Sequence, residues 1–283
     1  VDLRLRQGVH RVSRHQLGRF DLDVEAVEAV TALYYQDESV TLWHGDYRDA
    51  LTRYRRDDFD LVIADPPYAV TSLAWDRWQT EWPEIVAKYA RSMWCFGSLR
   101  MFMDRAAEFG DWKLSQDIVW EKHNGSSLAA DRFRTVHELA AFFYQGAWSD
   151  IYTNVPTTSD ATPRSVRRKA LPLQHQGARG PSVYESQDGG PRLMRSVIYA
   201  QSMHGQAIHP TQKPGGLLEP MIEYGCKPGG RVLDPFAGSC AVGVAARSLG
   251  RRTVCVEARE EQCEAAAKWL SNDTLTFGSE RVS

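Results

Sequence analysis

The residues best suited to chemistry are Asp65, Pro66, Pro67 and Tyr68, which follow directly on the apolar run Leu61–Ala64. Four apolar residues between polar neighbours predict a short buried strand. Pro66 and Pro67 carry no N–H, so the ladder ends there, and each pushes its predecessor out of the helical region. The result is a stiff loop at the carboxyl end of a strand, where open α/β sheets bind ligands. The loop offers acceptors, the Asp65 carboxylate and the Pro66 carbonyl, and few donors. Acceptors beside a flat ring suit a planar group bearing NH2, such as the amino group of adenine or cytosine. A proline-rich strand terminator with a buried tyrosine has the same sequence.

A second stretch lies far along the chain. Residues 209–214 read His-Pro-Thr-Gln-Lys-Pro, and a helix face follows in Leu217, Leu218, Met221 and Ile222. Arg231 to Leu233 then predicts a strand leading into Asp234-Pro235-Phe236-Ala237-Gly238-Ser239-Cys240, and a helix of small residues follows from Ala241. Strand, small-residue turn and helix is a cradle for a nucleotide-like cofactor. The next strand, Thr253 to Val256, ends at Glu257, which follows Gly238 by 19 residues (257 − 238), close to the spacing of a ribose-hydroxyl acceptor. Only Gly238 sits in the turn, so a phosphate-free nucleoside such as S-adenosylmethionine suits it better than a dinucleotide. A buried strand–helix turn with Glu257 on the surface is the plainer reading.

The elements that must hold these residues alternate. A helix is expected over 23–35, a strand at Val40 to Trp43, a basic helix over 47–56, a helix on Trp82, Ile85, Val86, Tyr89 and Met93, a strand at Ser92 to Phe96, and a helix from Leu99 to Phe109. Asp46, just after Gly45, accepts from an adenine or ribose or else caps a helix. Alternating strands and helices predict a parallel sheet with helices on both faces. Leu114 to Trp120 and Glu138 to Tyr144 are further strands, close enough in sequence to pair antiparallel, joined through Gly125-Ser126-Ser127. Read from Arg231 to the end and then from Val40 onward, the alternation is continuous, as in a permuted doubly wound sheet.

Residues 150–200 interrupt this order. They hold five prolines, no sustained periodicity, and seven basic against four acidic residues. Arg164, Arg167, Arg168, Lys169 and Arg179, with Gln174, His175 and Gln176, are candidates for phosphates and base edges. Residues 1–20 carry five arginines against the single acid Asp2, a basic arm or a loosely ordered terminus. The organisation expected is an arm and helix at 1–39, halves of one domain at 40–149 and 201–283, and an insertion at 150–200.

Totals narrow the classes. The 283 residues are 43% hydrophobic and 25% charged, an ordinary globular composition for one large α/β domain plus an insertion. No apolar run suits a membrane span, and no signal peptide is expected. Five cysteines without metal-type pairing predict a reducing, cytoplasmic setting and no metal site.

Taken in order, Asp65-Pro66-Pro67-Tyr68, His209 to Pro214 and Asp234 to Ser239 make the chain resemble the amino-DNA methyltransferases of the permuted beta group, from about Val40 to Leu270. The resemblance implies a mostly parallel, seven-stranded, doubly wound α/β sheet of the methyltransferase type with a target-recognition insertion, and S-adenosylmethionine as methyl donor. It implies a catalytic loop of Asp65, Pro66, Pro67 and Tyr68, with Asp65 also bordering the cofactor. Asp234, Pro235, Phe236, Ala237, Gly238 and Ser239 would line the cofactor, Glu257 hold its ribose, Asp46 face its adenine, and His209, Thr211 and Lys213 lie near its methionine end. Cys240 departs from the pattern, which usually has a second glycine there. The implied substrate is double-stranded DNA, with adenine N6 favoured over cytosine N4 because the first loop residue is Asp. A homodimer is compatible with this, and a restriction nuclease as partner does not follow from the sequence. An idle DNA-binding module of the same fold, or methylation of RNA or a protein amide, are the alternatives.

Overall fold

The computed structural model describes residues 31–69, 76–122, 130–168, 171–173, 177–201 and 212–279. The basic stretch 1–20, the start of the helix expected over 23–35, the Gly125–Ser127 connection, Lys169, residues 174–176, His209 and Thr211 lie outside them.

In chain order the first elements are β1 (Ala32–Gln36), β2 (Val40–His44), α1 (Tyr47–Leu51), β3 (Leu61–Ala64), α2 (Trp82–Val86), β4 (Ser92–Gly97), α3 (Leu99–Asp104), β5 (Lys113–Glu121) and β6 (His137–Tyr144). Six short strands follow: β7 (Thr157–Thr158), β8 (Arg164–Arg168), β9 (Leu171–Leu173), β10 (Gly177–Arg179), β11 (Ser182–Ser186) and β12 (Arg192–Leu193). The chain ends with β13 (Val197–Tyr199), α4 (Gly215–Gly225), β14 (Arg231–Asp234), α5 (Ala241–Ser248), β15 (Arg252–Glu257) and α6 (Glu260–Ser279).

Among the described residues the main sheet has nine strands in the order β1-β2-β15-β14-β3-β4-β6-β5-β13, where seven were expected. The two extra strands are its edges, β1 antiparallel to β2 and β13 parallel to β5. Strand β6 is antiparallel to both of its neighbours, and the other internal pairings are parallel. Strands from near the chain's end, β14 and β15, occupy the centre between β2 and β3.

Strand alternation builds two core layers. Leu61 and Ile63 pack on one face with Trp94, Leu217, Met221 and Val232. Val62 and Ala64 pack on the other with Tyr47, Leu51, Trp82, Val86 and Val254. Helix α6 covers β2 and β15 through Cys263, Ala266 and Leu270.

The end of the helix expected over 23–35 is instead β1. Asp37 Oδ1 accepts the Ser39 and Val40 N–H groups at 2.7 and 2.8 Å, making a tight turn that folds Leu33–Tyr35 back onto β2. The helix expected through Met93 stops at Val86, because Met93 belongs to the central strand β4. Among the described residues the insertion pairs in nested antiparallel ladders. Thr158 faces Arg192, Arg164 faces Ser186 and Leu171 faces Arg179, a single register carried through three short ladders. Among the described residues no helix is long and apolar enough to cross a membrane.

Candidate active site

Parallel strands β2, β3, β4, β14 and β15 end on the same edge of the sheet, and the antiparallel β6 begins there. That edge therefore gathers Asp46, Asp65, Asp234, Glu257 and the start of β6. Residues about 170 positions apart in sequence meet because β14 lies beside β3.

Asp65 follows β3 directly, and Lys213 Nζ lies 2.6 Å from its Oδ2. The same ammonium is 3.1 Å from Glu138 Oε1, and Lys122 Nζ is 2.7 Å from Glu138 Oε2. The Tyr68 hydroxyl lies 2.6 Å from Asp65 Oδ1 and 2.9 Å from Glu138 Oε1. Two carboxylates thus share two ammonium groups, with one phenol between the carboxylates. Aromatic faces close the cluster: Lys213 Nζ sits 4.7 Å from the Phe96 ring centre, and Lys122 Nζ sits 4.7 Å from that of Trp120. The loop leaves through Ala69 at φ 56, whose N–H is bonded to Asp76 Oδ1 at 2.7 Å.

The electrostatics follow from burial against partners. Burial alone would raise the Glu138 carboxyl, but the Lys213 and Lys122 ammonium groups overturn it and hold the group down at about 2. Burial would lower Lys213, but Asp65 and Glu138 raise it above its ordinary value. Burial, then the charges of Asp65 and Glu138, push the Tyr68 phenol well above its ordinary range. At neutral pH Glu138 is therefore a carboxylate, Lys213 an ammonium and Tyr68 a protonated phenol.

Beside it lies the turn after β14. Asp234 Oδ1 accepts the Phe236 N–H at 3.1 Å, and burial pushes its carboxyl up to about 8. Glu257 Oε2 accepts the Gly238 N–H at 2.8 Å, and Oε1 accepts from the Arg259 N–H and Nε at 3.0 and 3.1 Å. Glu257 is buried, not on the surface. Pro235, Ala237 and Ser239 are buried, and Phe236 is half-buried, with the Tyr47 and Trp82 rings edge-on at 5.3 and 5.4 Å. Tyr47 Oη and Trp82 Nε1 are buried without a hydrogen-bond partner among the described residues. The half-buried Phe236 ring and the Gly238 backbone, anchored on the buried Glu257 carboxylate, leave a flat apolar face and a small-residue turn at the edge, which suit a nucleoside. The turn thus fits a nucleoside cofactor better than a plain packing role.

Asp46 caps α1: its Oδ1 accepts the Arg48 N–H at 2.7 Å, and its carboxylate pairs with the Arg48 guanidinium at 3.0 Å. It remains exposed at the sheet edge, beside Gly45, whose N–H bonds the Glu257 carbonyl at 3.0 Å. Lys213 reaches Asp65 rather than standing free. Arg164 and Arg167 are exposed on the hairpin, away from this edge in sequence and sheet, and Arg168 and Arg179 lie on its strands β8 and β10. Sequence reasoning passed over Glu138, Lys122, Tyr47 and Trp82. One signal was available: Glu138 is the only acid within the otherwise apolar run Leu139–Tyr144 and its approach, where a buried charge needs a partner.

Fold and edge together define a doubly wound, mostly parallel α/β protein whose chemistry sits at the carboxyl ends of its strands. The family model described as DNA methylase (N6_N4_Mtase) matches residues 59–268, and the chain belongs to that family. The type II methyltransferase M2.LlaDCHI of Lactococcus lactis subsp. cremoris is 26% identical, with 88% of this chain and 95% of that protein covered. M2.DpnII of Streptococcus pneumoniae is also 26% identical, over 87% and 95%. Among solved structures, the M1.HpyAVI–SAM complex is similar at a TM-score of 0.54 and 23% identity, covering 81% of this chain and 99% of that one. The cytosine-N4-specific PvuII DNA methyltransferase is similar at a TM-score of 0.56 and 16% identity, covering 83% and 87%. At these identities the structural likeness establishes the fold.

Proposed function

We propose that this DNA methylase transfers the methyl group of S-adenosylmethionine to the N6 amino group of an adenine turned out of a DNA duplex. The observation that carries this is the meeting, on one sheet edge, of Asp65 and Tyr68 with the Asp234–Gly238 turn and Glu257.

The cofactor supplies an electrophilic methyl group on a sulfonium. Phe236 and Gly238 would border it, with Glu257 toward the ribose, Asp46 toward the adenine, and Asp234 and Asp65 toward its charged end; His209 and Thr211 belong to the same proposed set, and the buried Tyr47 and Trp82 rings back Phe236. Tyr68 offers its ring to the target base for stacking. Asp65 and the Pro66 carbonyl accept the two amino hydrogens, which fixes the direction of the nitrogen lone pair. The Asp65 carboxylate faces the positive charge that grows on that nitrogen and takes the proton the nitrogen then sheds. Lys213, paired with Asp65 at 2.6 Å and with Glu138 at 3.1 Å, keeps the Asp65 carboxylate aligned until then. A base inside a duplex cannot reach this loop, so it must be flipped.

For DNA we assign residues 150–200 as the recognition element. A two-stranded ribbon fits the major groove, and Arg164, Arg167, Arg168, Lys169 and Arg179 give this one positive charge. Asp at the first loop position favours adenine over cytosine. Incubation with methyl-labelled S-adenosylmethionine and unmethylated genomic DNA, followed by nucleoside analysis, tests the assignment. N6-methyladenine is expected; N4-methylcytosine would overturn the base, and absence of any labelled nucleoside would overturn the activity.

A further inference from the structure

The catalytic loop presents a difficulty. Asp65 is to accept the target amino group, yet both of its oxygens are engaged: Oδ2 by Lys213 Nζ at 2.6 Å and Oδ1 by the Tyr68 hydroxyl at 2.6 Å. One engagement is useful, because the ammonium anchors the carboxylate in place. The other competes with the substrate for the lone pairs of Oδ1.

The geometry holds the way out. A phenol has one proton and donates one hydrogen bond at a time. The Tyr68 hydroxyl has a second carboxylate oxygen within reach, Glu138 Oε1 at 2.9 Å. That oxygen is held in place by Lys213 at 3.1 Å, and its partner Oε2 by Lys122 at 2.7 Å. The Glu138 side chain is only 12% exposed, so it does not swing into solvent. Its strand neighbours fix it further: Trp120 pairs opposite it, and the Lys122 N–H bonds the Val136 carbonyl at 2.7 Å just ahead of it.

We propose that Glu138 is the second acceptor of a hydrogen-bond switch at Tyr68: when the target amino group arrives, the hydroxyl turns its proton from Asp65 Oδ1 to Glu138 Oε1, and Asp65 Oδ1 is freed for the base. No covalent bond changes, and the phenol keeps its proton. Turning the hydroxyl moves only a hydrogen about the C–O bond, so the ring holds its plane for stacking. Glu138 is thus a positioning residue that acts through Tyr68. The inference rests on the reading of Asp65 as amino acceptor.

The test uses the full chain as wild type, Glu138→Ala, Glu138→Gln, Tyr68→Phe and the double variant Tyr68→Phe/Glu138→Ala. Turnover is measured on unmethylated genomic DNA, and affinity for S-adenosylmethionine by calorimetry. Glu138→Ala is expected to lower kcat by about 10- to 100-fold, the scale of a misplaced catalytic group, with cofactor affinity held within about twofold. In the Tyr68→Phe background the same substitution is expected to cost no more than about twofold, because no hydroxyl is left to redirect. Full additivity of the two losses, or wild-type kcat in Glu138→Ala, overturns the switch. A second readout needs no turnover: 3-fluorotyrosine at position 68, followed by 19F NMR in the protein alone. Loss of the Glu138 charge in either variant is expected to shift the resonance and lower the pH at which the fluorophenol ionises. Glu138→Gln keeps the side chain's volume, so this readout stays decisive where Glu138→Ala does not fold. An unchanged fluorine titration overturns the contact. If wild type itself transfers no methyl group, the proposed function fails, and the fluorine result still decides whether Glu138 receives the hydroxyl.

Discussion

At the scale of single residues, the site is a set of charges that need one another. Asp65→Ala removes the acceptor but leaves Lys213 paired with Glu138 at 3.1 Å, so the cluster stays satisfied. Turnover is expected to fall by about 10²- to 10⁴-fold, the usual weight of a positioned acid–base group, with calorimetric cofactor affinity nearly intact. Lys213→Met is the opposite case. It leaves Asp65 and Glu138 facing each other with Lys122 paired to Glu138 alone, and is expected to cost about 3 kcal/mol in urea unfolding. Asp234 gives a pH test. Its carboxyl is raised from 3.8 to about 8, so between those values the folded chain holds a proton that the unfolded chain has released. Stability from this group is therefore lost as pH rises through that window. Asp234→Asn keeps an oxygen for the Phe236 N–H without the charge. Its melting temperature, relative to wild type, is expected to rise from pH 4 to pH 8; a constant difference would show that Asp234 is ionised throughout.

At the scale of elements, the turn between β14 and α5 carries strain that its sequence records. Cys240 sits at φ 58, a left-handed conformation that costs a side-chain-bearing residue about 1–2 kcal/mol. Its thiol compensates by packing fully buried among Val40, Leu42 and Cys255. Both Cys240→Gly and Cys240→Ala lose the sulfur, but only glycine is relaxed there. The glycine variant is expected to be the more stable of the two by about 1 kcal/mol in chemical denaturation, although it has fewer atoms to pack. The two motif-bearing turns were legible in sequence because each is local: an apolar strand stopped by prolines, and a strand broken by small residues. β1 was not, because Leu33, Tyr34 and Tyr35 fit helical and extended spacing equally, and pairing with β2 decided it.

At the scale of the whole molecule, the nested ladders gather the described part of the long polar insertion into a ribbon on which Arg164 and Arg167 are exposed. If it tracks phosphates, Arg164→Ala/Arg167→Ala is expected to weaken DNA binding across sequences and to reduce the slope of log affinity against log salt by about 2, near 0.9 per phosphate. Fluorescence anisotropy over a salt series reads this directly, and an unchanged slope would place the contacts elsewhere.

Sequence alone pointed to the DNA methylase family to which the chain belongs, because a carboxylate, two prolines and a ring in a row define their own loop wherever it lies. It also placed Gly238 within reach of Glu257, since a strand, a helix and a strand bring that spacing back to one edge. Only the tertiary structure decided who surrounds Asp65. Glu138 reaches it because β6 runs antiparallel beside β4, and Lys213 because the residues before α4 return to β3. Those neighbours depend on sheet order and strand direction, which are set by how the whole hydrophobic core closes rather than by any local run of residues.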